Sequence, residues 1–239
     1  MLCTWLCRGA LGLLLCGAAH AADRATLPSL VDALLQVAPG ANPQAVQLAV
    51  QAMSCAVRHG APAAQRLGVI DFSRPSTERR LWVFDLQRRR LLFDEWVAHG
   101  RGSGEDYARR FSDDAGSLAS SLGLFRTLQT YIGHNGYSLR LEGLEPGFND
   151  HAYARAVVIH GARYVNAAFA RRVGRLGRSF GCPAVREAIA QPLIDSLKDN
   201  QYLFAYYPDP HWLANSPYLH CDAPAYPSAA ADAASPPSG

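Results

Sequence analysis

The sequence predicts a mainly β fold, a sandwich or barrel, with helices at its ends. Short segments rich in β-branched and aromatic residues follow one another from about residue 69 onward, and turn residues separate them. Helical periodicity is confined to the segments that flank these strands. A parallel α/β fold fits less well, because helices do not alternate with the central strands.

Two helices are expected before the first strand. Apolar residues at helical spacing over residues 30–35 stop at Pro39 and Gly40, which favour a helix end. A second periodic stretch starts at Pro43, a residue suited to the first helical turn, and closes near Gly60. We interpret residues 22–65 as an N-terminal helical segment that provides packing surface.

The remaining elements belong to a predicted domain over residues 66–221. A hairpin with a charged tip at residues 87–90 joins the second and third strands, and His134-Asn135-Gly136 is typical of a turn between two others. Helices are expected at about residues 166–172 and 185–198. The predicted strands span residues 69–72, 80–86, 91–97, 122–132, 137–141, 156–159 and 202–207.

Both ends of the chain differ in composition from this domain. Arg8, an apolar run and then Ala19-His20-Ala21 indicate a secretory signal peptide over residues 1–21, too short for a membrane span. A lipoprotein signal at Cys16 is disfavoured, since a large leucine precedes it. Residues 222–239 are rich in Ala, Pro and Ser, which predicts a disordered tail. We therefore expect a periplasmic protein without stable membrane insertion.

The net charge excludes one class of partner. It is +3 for the whole chain and about +2 without Arg8. So small an excess does not favour nucleic-acid binding, which depends on many phosphate contacts. Nothing in the sequence indicates an oligomeric state.

Removal of a signal peptide would leave three cysteines: Cys55, Cys182 and Cys221. An odd number in an oxidising compartment indicates a free reactive thiol or an intermolecular bridge. If Cys182 is the working thiol, Cys55 and Cys221 could pair and tie the C-terminal segment to the N-terminal helices. The alternative is two separate buried thiols.

Two short motifs together indicate nucleophilic catalysis. His160-Gly161 ends a predicted buried strand, and Cys182 follows Gly181 in a tight turn further along the chain. An imidazole can activate a thiol and later give a proton to a leaving amine. The helix that follows Pro183, expected from about residue 185, would place Cys182 near its N-terminus, where amide groups lower a thiol pKa and bind an oxyanion. Ser179 could add a hydroxyl to that oxyanion hole.

These motifs resemble the L,D-transpeptidase (YkuD-type) family of murein enzymes. The family signature of His-Gly followed by Ser/Thr-x-Gly-Cys is matched by His160-Gly161 and by the segment 179–182. The closer resemblance is to the murein L,D-transpeptidase catalytic domain branch, YkuD_2, over roughly residues 66–208. The segments that carry it are 71–73, 97–104, 120–123, 137–141 and 174–179.

The resemblance implies acyl transfer on peptidoglycan stem peptides without a metal or cofactor. Cys182 would attack the carbonyl of an L-centre, and the thioester would pass to an amine of a neighbouring stem. His160 would act as base and acid, oriented by a backbone carbonyl, beside an oxyanion and orientation set of Ser179, Gly181 and Gly161. Carbapenems typically acylate cysteines of this family.

The sequence departs from the better-known branch, which has an arginine shortly after the cysteine. Here Arg186 comes later, and Phe180 stands where that branch often has histidine. The residues left as candidates for substrate contact are Arg155, Arg178, Arg186, His99, Ser103 and Phe180. A glycine-rich hairpin turn is an equally good interpretation of the segment with His99 and Ser103.

Alternative functions remain open at this point. An L,D-carboxypeptidase would pass the same thioester to water, and a non-catalytic module would only bind murein. Another cysteine peptidase or amidase of the cell wall is also possible, although the NlpC/P60 type places its cysteine before its histidine. Zinc peptidases need ligand sets such as His-x-His, which the sequence lacks.

Overall fold

The computed structural model describes residues 27–221, so the expected signal peptide and the whole expected tail lie outside the described residues. The elements are α1 (Leu27–Val37), α2 (Pro43–Arg58), β1 (Arg66–Asp71), β2 (Leu81–Asp85), β3 (Arg90–Glu95), β4 (Gly123–Gly133), β5 (Gly136–Gly143), β6 (Val158–Gly161), α3 (Ala167–Val173), β7 (Ala184–Val185), α4 (Glu187–Leu197), β8 (Tyr202–Tyr206) and α5 (Pro210–Asn215).

One sheet of eight strands forms the body of the protein, in the order β3-β2-β1-β8-β4-β5-β6-β7. β1 pairs with β8 and β6 with β7 in parallel, while the other neighbours are antiparallel. Just beyond β3, Ala98 forms an antiparallel bridge to Ala184 of β7, at the opposite edge of the sheet. The sheet therefore nearly closes on itself, which confirms the predicted mainly β fold and selects the barrel over the sandwich.

The N-terminal helices belong to the same hydrophobic core as the sheet. The buried face of α2 includes Val46, Val50 and Met53, which share one apolar cluster with the core residues of β1, β4 and β8. Asn42 caps α2 by accepting from the Gln44 amide at 3.0 Å, as expected for an N-cap. Among the described helices, none is long and apolar enough to cross a bilayer.

A disulfide between Cys55 and Cys221 fixes α2 to the C-terminal segment, which confirms that expectation over two separate thiols. Their Cα atoms are 5.5 Å apart, a usual separation for a disulfide. Cys182 is free and partly exposed.

Most predicted elements are present, including the two-residue turn between β4 and β5, where Gly133 pairs with Gly136. The helix predicted at about residues 185–198 is present as α4, but it starts too far along the chain to bring its N-terminus to Cys182. Ala184 and Val185 form strand β7, and α4 begins only at Glu187. Hydrogen bonding to β6 and to Ala98 overrides the local helical pattern here. The short helix α5 has no counterpart in the sequence prediction.

Candidate active site

The parallel pairing of β6 with β7 brings the histidine and cysteine segments together. His160 lies opposite Ala184, which follows Cys182 by two residues. Side chains two residues apart on an extended chain point to the same face. On the other side of β6, His160 lies opposite Ser138 of β5. The adjacent pair Leu139 and Ile159 points into the core, so His160 lies on the opposite face of the sheet.

A backbone carbonyl orients the imidazole of His160. Nδ1 lies 2.9 Å from the oxygen of Gly161, and His160 is only 4% exposed. A carbonyl can only accept, so we assign the proton to Nδ1, which leaves a lone pair on Nε2 of the neutral ring. Burial lowers the pKa of His160, so the ring is uncharged near neutral pH.

The thiol of Cys182 rests against the strand that carries His160. Sγ donates to the oxygen of Ala156 at 3.8 Å, and within residues 27–221 no hydrogen bond joins it to the imidazole. Burial raises the pKa of Cys182, and the amide of Val158 and the charge of Arg155 offset this in part. The expected lowering by a helix N-terminus is wrong, because α4 starts beyond β7. In the resting state both the thiol and the imidazole are therefore neutral.

Ala156 adopts a backbone conformation that a non-glycine residue rarely takes. Its φ is 54°, and its carbonyl accepts from the Cys182 thiol. Leu118, whose oxygen accepts from the amide of Gly102, has a φ of 57°. Strained backbone of this kind typically occurs at functional sites, where the surrounding structure holds it.

Ser179 closes the turn that presents Cys182. Its hydroxyl donates to the Cys182 oxygen at 2.6 Å and accepts from the Gly181 amide at 3.1 Å. The hydroxyl proton and the Gly181 N–H are thus already used, which corrects the expectation that they donate to an oxyanion. In the part of the chain that the structure describes, no oxygen accepts a hydrogen bond from the Cys182 amide. That amide is the available donor.

Hydrogen bonds from two neighbouring segments, around Ser120 and Gly100, hold the cysteine motif in place. Ser120 donates to the oxygen of Gly181 at 3.0 Å and accepts from the amide of Gly100 at 3.0 Å. Gly100 has no room for a side chain, since a Cβ there would lie 2.7 Å from the Cα of Gly181. Ser103, expected at the substrate surface, is buried and accepts from the amide of Ser120. Its role is to hold this support.

His99 is also part of the support and does not contact a substrate, so of the two interpretations of its segment the structure favours the glycine-rich turn. It is fully buried, its Nδ1 accepts from Arg80 at 2.8 Å, and its Nε2 lies 3.4 Å from the oxygen of Gly104. Burial and the charge of Arg80 lower the pKa of His99 to about 4. A neutral imidazole with both nitrogens bonded has no capacity left for a substrate.

Arg155 lies inside the protein, which corrects its assignment as a substrate contact. Its side chain is 6% exposed. Within the described part of the chain, the hydrogen bonds of its guanidinium all go to one loop over residues 112–121. The acceptors are the oxygens of Ser112 and Ala119, the hydroxyls of Ser117 and Ser121, and the carboxylate of Asp113. The guanidinium therefore anchors the loop that supports Gly181.

The other two candidate arginines are paired with acids. Arg178 lies 2.7 Å from the carboxylate of Glu105, and Arg186 binds Glu95 through two nitrogens. Phe180 is 69% exposed and stacks with the guanidinium of Arg101 at 4.6 Å. Of the residues expected to contact substrate, Phe180 is therefore the one with a free surface.

Tyr164 is a neighbour of the cysteine that was not singled out in the sequence. Burial and then the nearby Cys182 raise the pKa of Tyr164 to about 12. Its ring packs where Gly177 has no side chain, since a Cβ there would lie 2.3 Å from the Cβ of Tyr164. The sequence signal that could have indicated Tyr164 is its position four residues after His160, in the loop that follows β6.

Asp113, Asp150 and His151 are close enough together to bind a metal ion, with their ligand atoms within 4.8 Å of one another. The oxygens of Asp113, however, already bond to Arg155 and His151. These contacts account for the cluster as part of the loop support.

Comparisons with known proteins identify the family of the chain. The model of the L,D-transpeptidase catalytic domain family YkuD_2 matches residues 37–206. Solved structures that resemble the chain include an L,D-transpeptidase from Mycobacterium smegmatis, with 13% identity, 61% of this chain and 60% of that chain covered and a TM-score of 0.38. Another is the LD transpeptidase LdtMt1 in complex with imipenem, with 13% identity, 59% of each chain covered and a TM-score of 0.37.

A third is an L,D-transpeptidase from Stackebrandtia nassauensis, with 11% identity, 76% of this chain and 78% of that chain covered and a TM-score of 0.37. The chain thus spans about 60% of the length of the first two structures. A search of the curated proteins finds no match. Since the family match covers more than half of the sequence, this chain belongs to the L,D-transpeptidase catalytic domain family YkuD_2.

Proposed function

We propose that this protein is a cysteine-dependent L,D-transpeptidase that cross-links peptidoglycan stem peptides through a thioester. The observation that carries the proposal is the pairing of β6 with β7, which sets Cys182 beside the strand of His160. A free cysteine and an imidazole with an available Nε2 are the two groups that this chemistry requires.

The first half-reaction forms the acyl-enzyme. The thiol leaves the oxygen of Ala156 by rotation about its side-chain bond and gives its proton to Nε2 of His160. Sγ attacks the carbonyl carbon of an L-centre, and the Cys182 amide stabilises the oxyanion. The carbon–nitrogen bond breaks, Nε2 returns the proton to the departing amine, and a thioester remains.

The second half-reaction runs through the same groups in reverse. An amine of a neighbouring stem attacks the thioester and loses a proton to Nε2. The tetrahedral intermediate collapses with loss of the cysteine sulfur, which takes the proton back from His160. Water in place of the amine would give carboxypeptidase activity, the alternative outcome. Phe180, exposed beside the motif, is the proposed aromatic wall for the substrate.

We place the reaction in the periplasm. The disulfide between Cys55 and Cys221 supports an oxidising compartment, where such bonds persist. The proposed signal peptide would account for export.

Incubation with muropeptides that carry tetrapeptide stems tests the function, with Cys182→Ala and His160→Gln as variants. Mass spectrometry should show cross-linked dimers with the wild type and none with either variant. A shortened stem without dimers would instead establish carboxypeptidase activity. Unchanged substrate, together with no imipenem adduct on Cys182, would contradict both and leave a non-catalytic murein-binding protein.

A further inference from the structure

Arg140 is a partly buried cation between two aromatic rings. Its guanidinium lies 4.2 Å from the ring centre of Tyr131 and 5.7 Å from that of Tyr153. Within the described residues, its side chain has no acidic partner and no hydrogen bond. Arginine stacked in this way keeps its planar fork of donors free for a carboxylate.

The sheet register fixes Arg140 on one side of the candidate active site. Arg140 of β5 lies opposite Val158 of β6. The pair of Ser138 with His160 is two residues away from it along each strand. Residues two apart on one strand share a face, so Arg140 and His160 lie on the same face of the sheet. Since β6 separates β5 from β7, Arg140 is on the imidazole side of the cysteine segment.

Tyr131 and Tyr153 complete the site from different parts of the chain. Tyr131 of β4 lies opposite Ser138 of β5, which in turn lies opposite His160 of β6. The three residues therefore form one row across the sheet. Tyr153 is 49% exposed and comes three residues before Ala156, whose carbonyl accepts from the Cys182 thiol. Arg140 and Tyr131 therefore share the sheet face of His160, and Tyr153 shortly precedes the carbonyl that contacts the Cys182 thiol.

The position of the imidazole determines which part of a substrate reaches Arg140. A general acid must be within hydrogen-bonding distance of the leaving nitrogen, so the leaving amino acid lies on the His160 side of the sulfur. Its α-carboxylate is one carbon away from that nitrogen. Diagonal neighbours on a sheet have Cβ atoms about 7–8 Å apart, which a long arginine side chain can span.

This inference rests on the function proposed above. We propose that Arg140, held between Tyr131 and Tyr153, binds the α-carboxylate of the amino acid that leaves when the thioester forms. Because the second half-reaction reverses the first, the same guanidinium binds the carboxylate of an amino acid whose α-amine attacks the thioester. This site takes the place of an arginine next to the cysteine, since Arg186 is bound to Glu95.

The test compares a stem tetrapeptide with a free terminal carboxylate and the same peptide with a terminal amide. Wild-type kcat/KM should fall about 10- to 100-fold on amidation, the usual effect of losing a charge-assisted hydrogen bond. Arg140→Gln should show a similar loss on the free peptide and almost no further loss on amidation.

Arg172→Gln is the matched control. Arg172 is an exposed arginine of α3 that stacks on Phe169 at 5.5 Å, so its replacement removes the same charge and the same kind of stacking outside the sheet. It should behave as the wild type. Equal thermal midpoints and equal rates of Cys182 alkylation by iodoacetamide would show that Arg140→Gln is folded.

If Arg140→Gln still discriminates between the two peptides as the wild type does, the inference is wrong. A wild type that turns over neither peptide would contradict the proposed function instead. In that case the affinity of Cys182→Ala for both peptides, measured by calorimetry with and without Arg140→Gln, decides the inference. The inference is supported if Cys182→Ala prefers the free carboxylate and the double variant with Arg140→Gln does not. An equal preference in both proteins would overturn the inference.

Discussion

Replacement of Arg155 by methionine should destabilise the protein strongly, because this arginine is structural. Its guanidinium makes five hydrogen bonds to the loop over residues 112–121. The side chains of Arg155 and Asp113 are both only 6% exposed. Removing one partner of a buried ion pair costs about 3–5 kcal/mol, because the other charge is left without compensation.

The expected loss corresponds to a fall in the thermal midpoint of about 10 °C for a protein of this size. Arg178→Met is the matched control. The acidic partner of Arg178 is Glu105, whose side chain is 73% exposed, so its loss should cost about 1 kcal/mol or less. Differential scanning calorimetry of the three proteins at one pH measures both differences.

The same variant should also slow acylation of Cys182 well below its thermal midpoint. Arg155 donates to the oxygen of Ala119 at 2.7 Å, and that oxygen would lie 2.9 Å from a Cβ at Gly181. A looser loop would therefore disturb the turn of the nucleophile. A thermal midpoint of Arg155→Met within about 2 °C of the wild type, combined with weaker substrate binding, would refute the structural role and restore Arg155 as a substrate ligand.

Three further predictions concern pH and redox conditions. The raised pKa of Cys182 predicts that its alkylation by iodoacetamide accelerates up to a pH above the ordinary thiol pKa, and a plateau near neutral pH would contradict this. Glu145 is fully buried with its pKa raised from 4.5 to about 7, mainly by burial. Its stabilising contribution is therefore complete below pH 4.5 and is lost as the pH rises through 7. The free energy of unfolding of the wild type should fall by about 2 kcal/mol more between pH 5.5 and 8 than that of Glu145→Gln, and parallel pH profiles in urea titrations would contradict this assignment. Reduction of the disulfide between Cys55 and Cys221 should lower stability by about 3–5 kcal/mol without loss of the Cys182 reaction, which chemical denaturation and alkylation in dithiothreitol can measure.

The sequence determined most of the strands, because their patterns are local. Alternation and β-branched runs depend only on neighbouring residues, and the turn at His134 and Asn135 has its own signature. Both members of the proposed catalytic pair could also be named from short motifs. The helix expected after Pro183 is present but starts two residues later than predicted, because Ala184 and Val185 pair with the strand beside them.

The roles of the arginines were decided only by the tertiary structure. Arg155, Arg178 and Arg186 look alike in sequence, yet each has an internal partner that comes from a distant segment. Arg140 lies in the segment 137–141 that carries the family resemblance, but the sequence did not indicate a substrate role for it, because the two tyrosines beside it belong to another strand and to a loop.

The sequence by itself thus determined which side chains can do chemistry, since reactivity belongs to the residue type and its local motif. Whether a charge is neutralised or free depends on which groups lie within a few ångströms of it. Those groups are separated along the chain, so only the folded structure decides which arginine is left for a substrate.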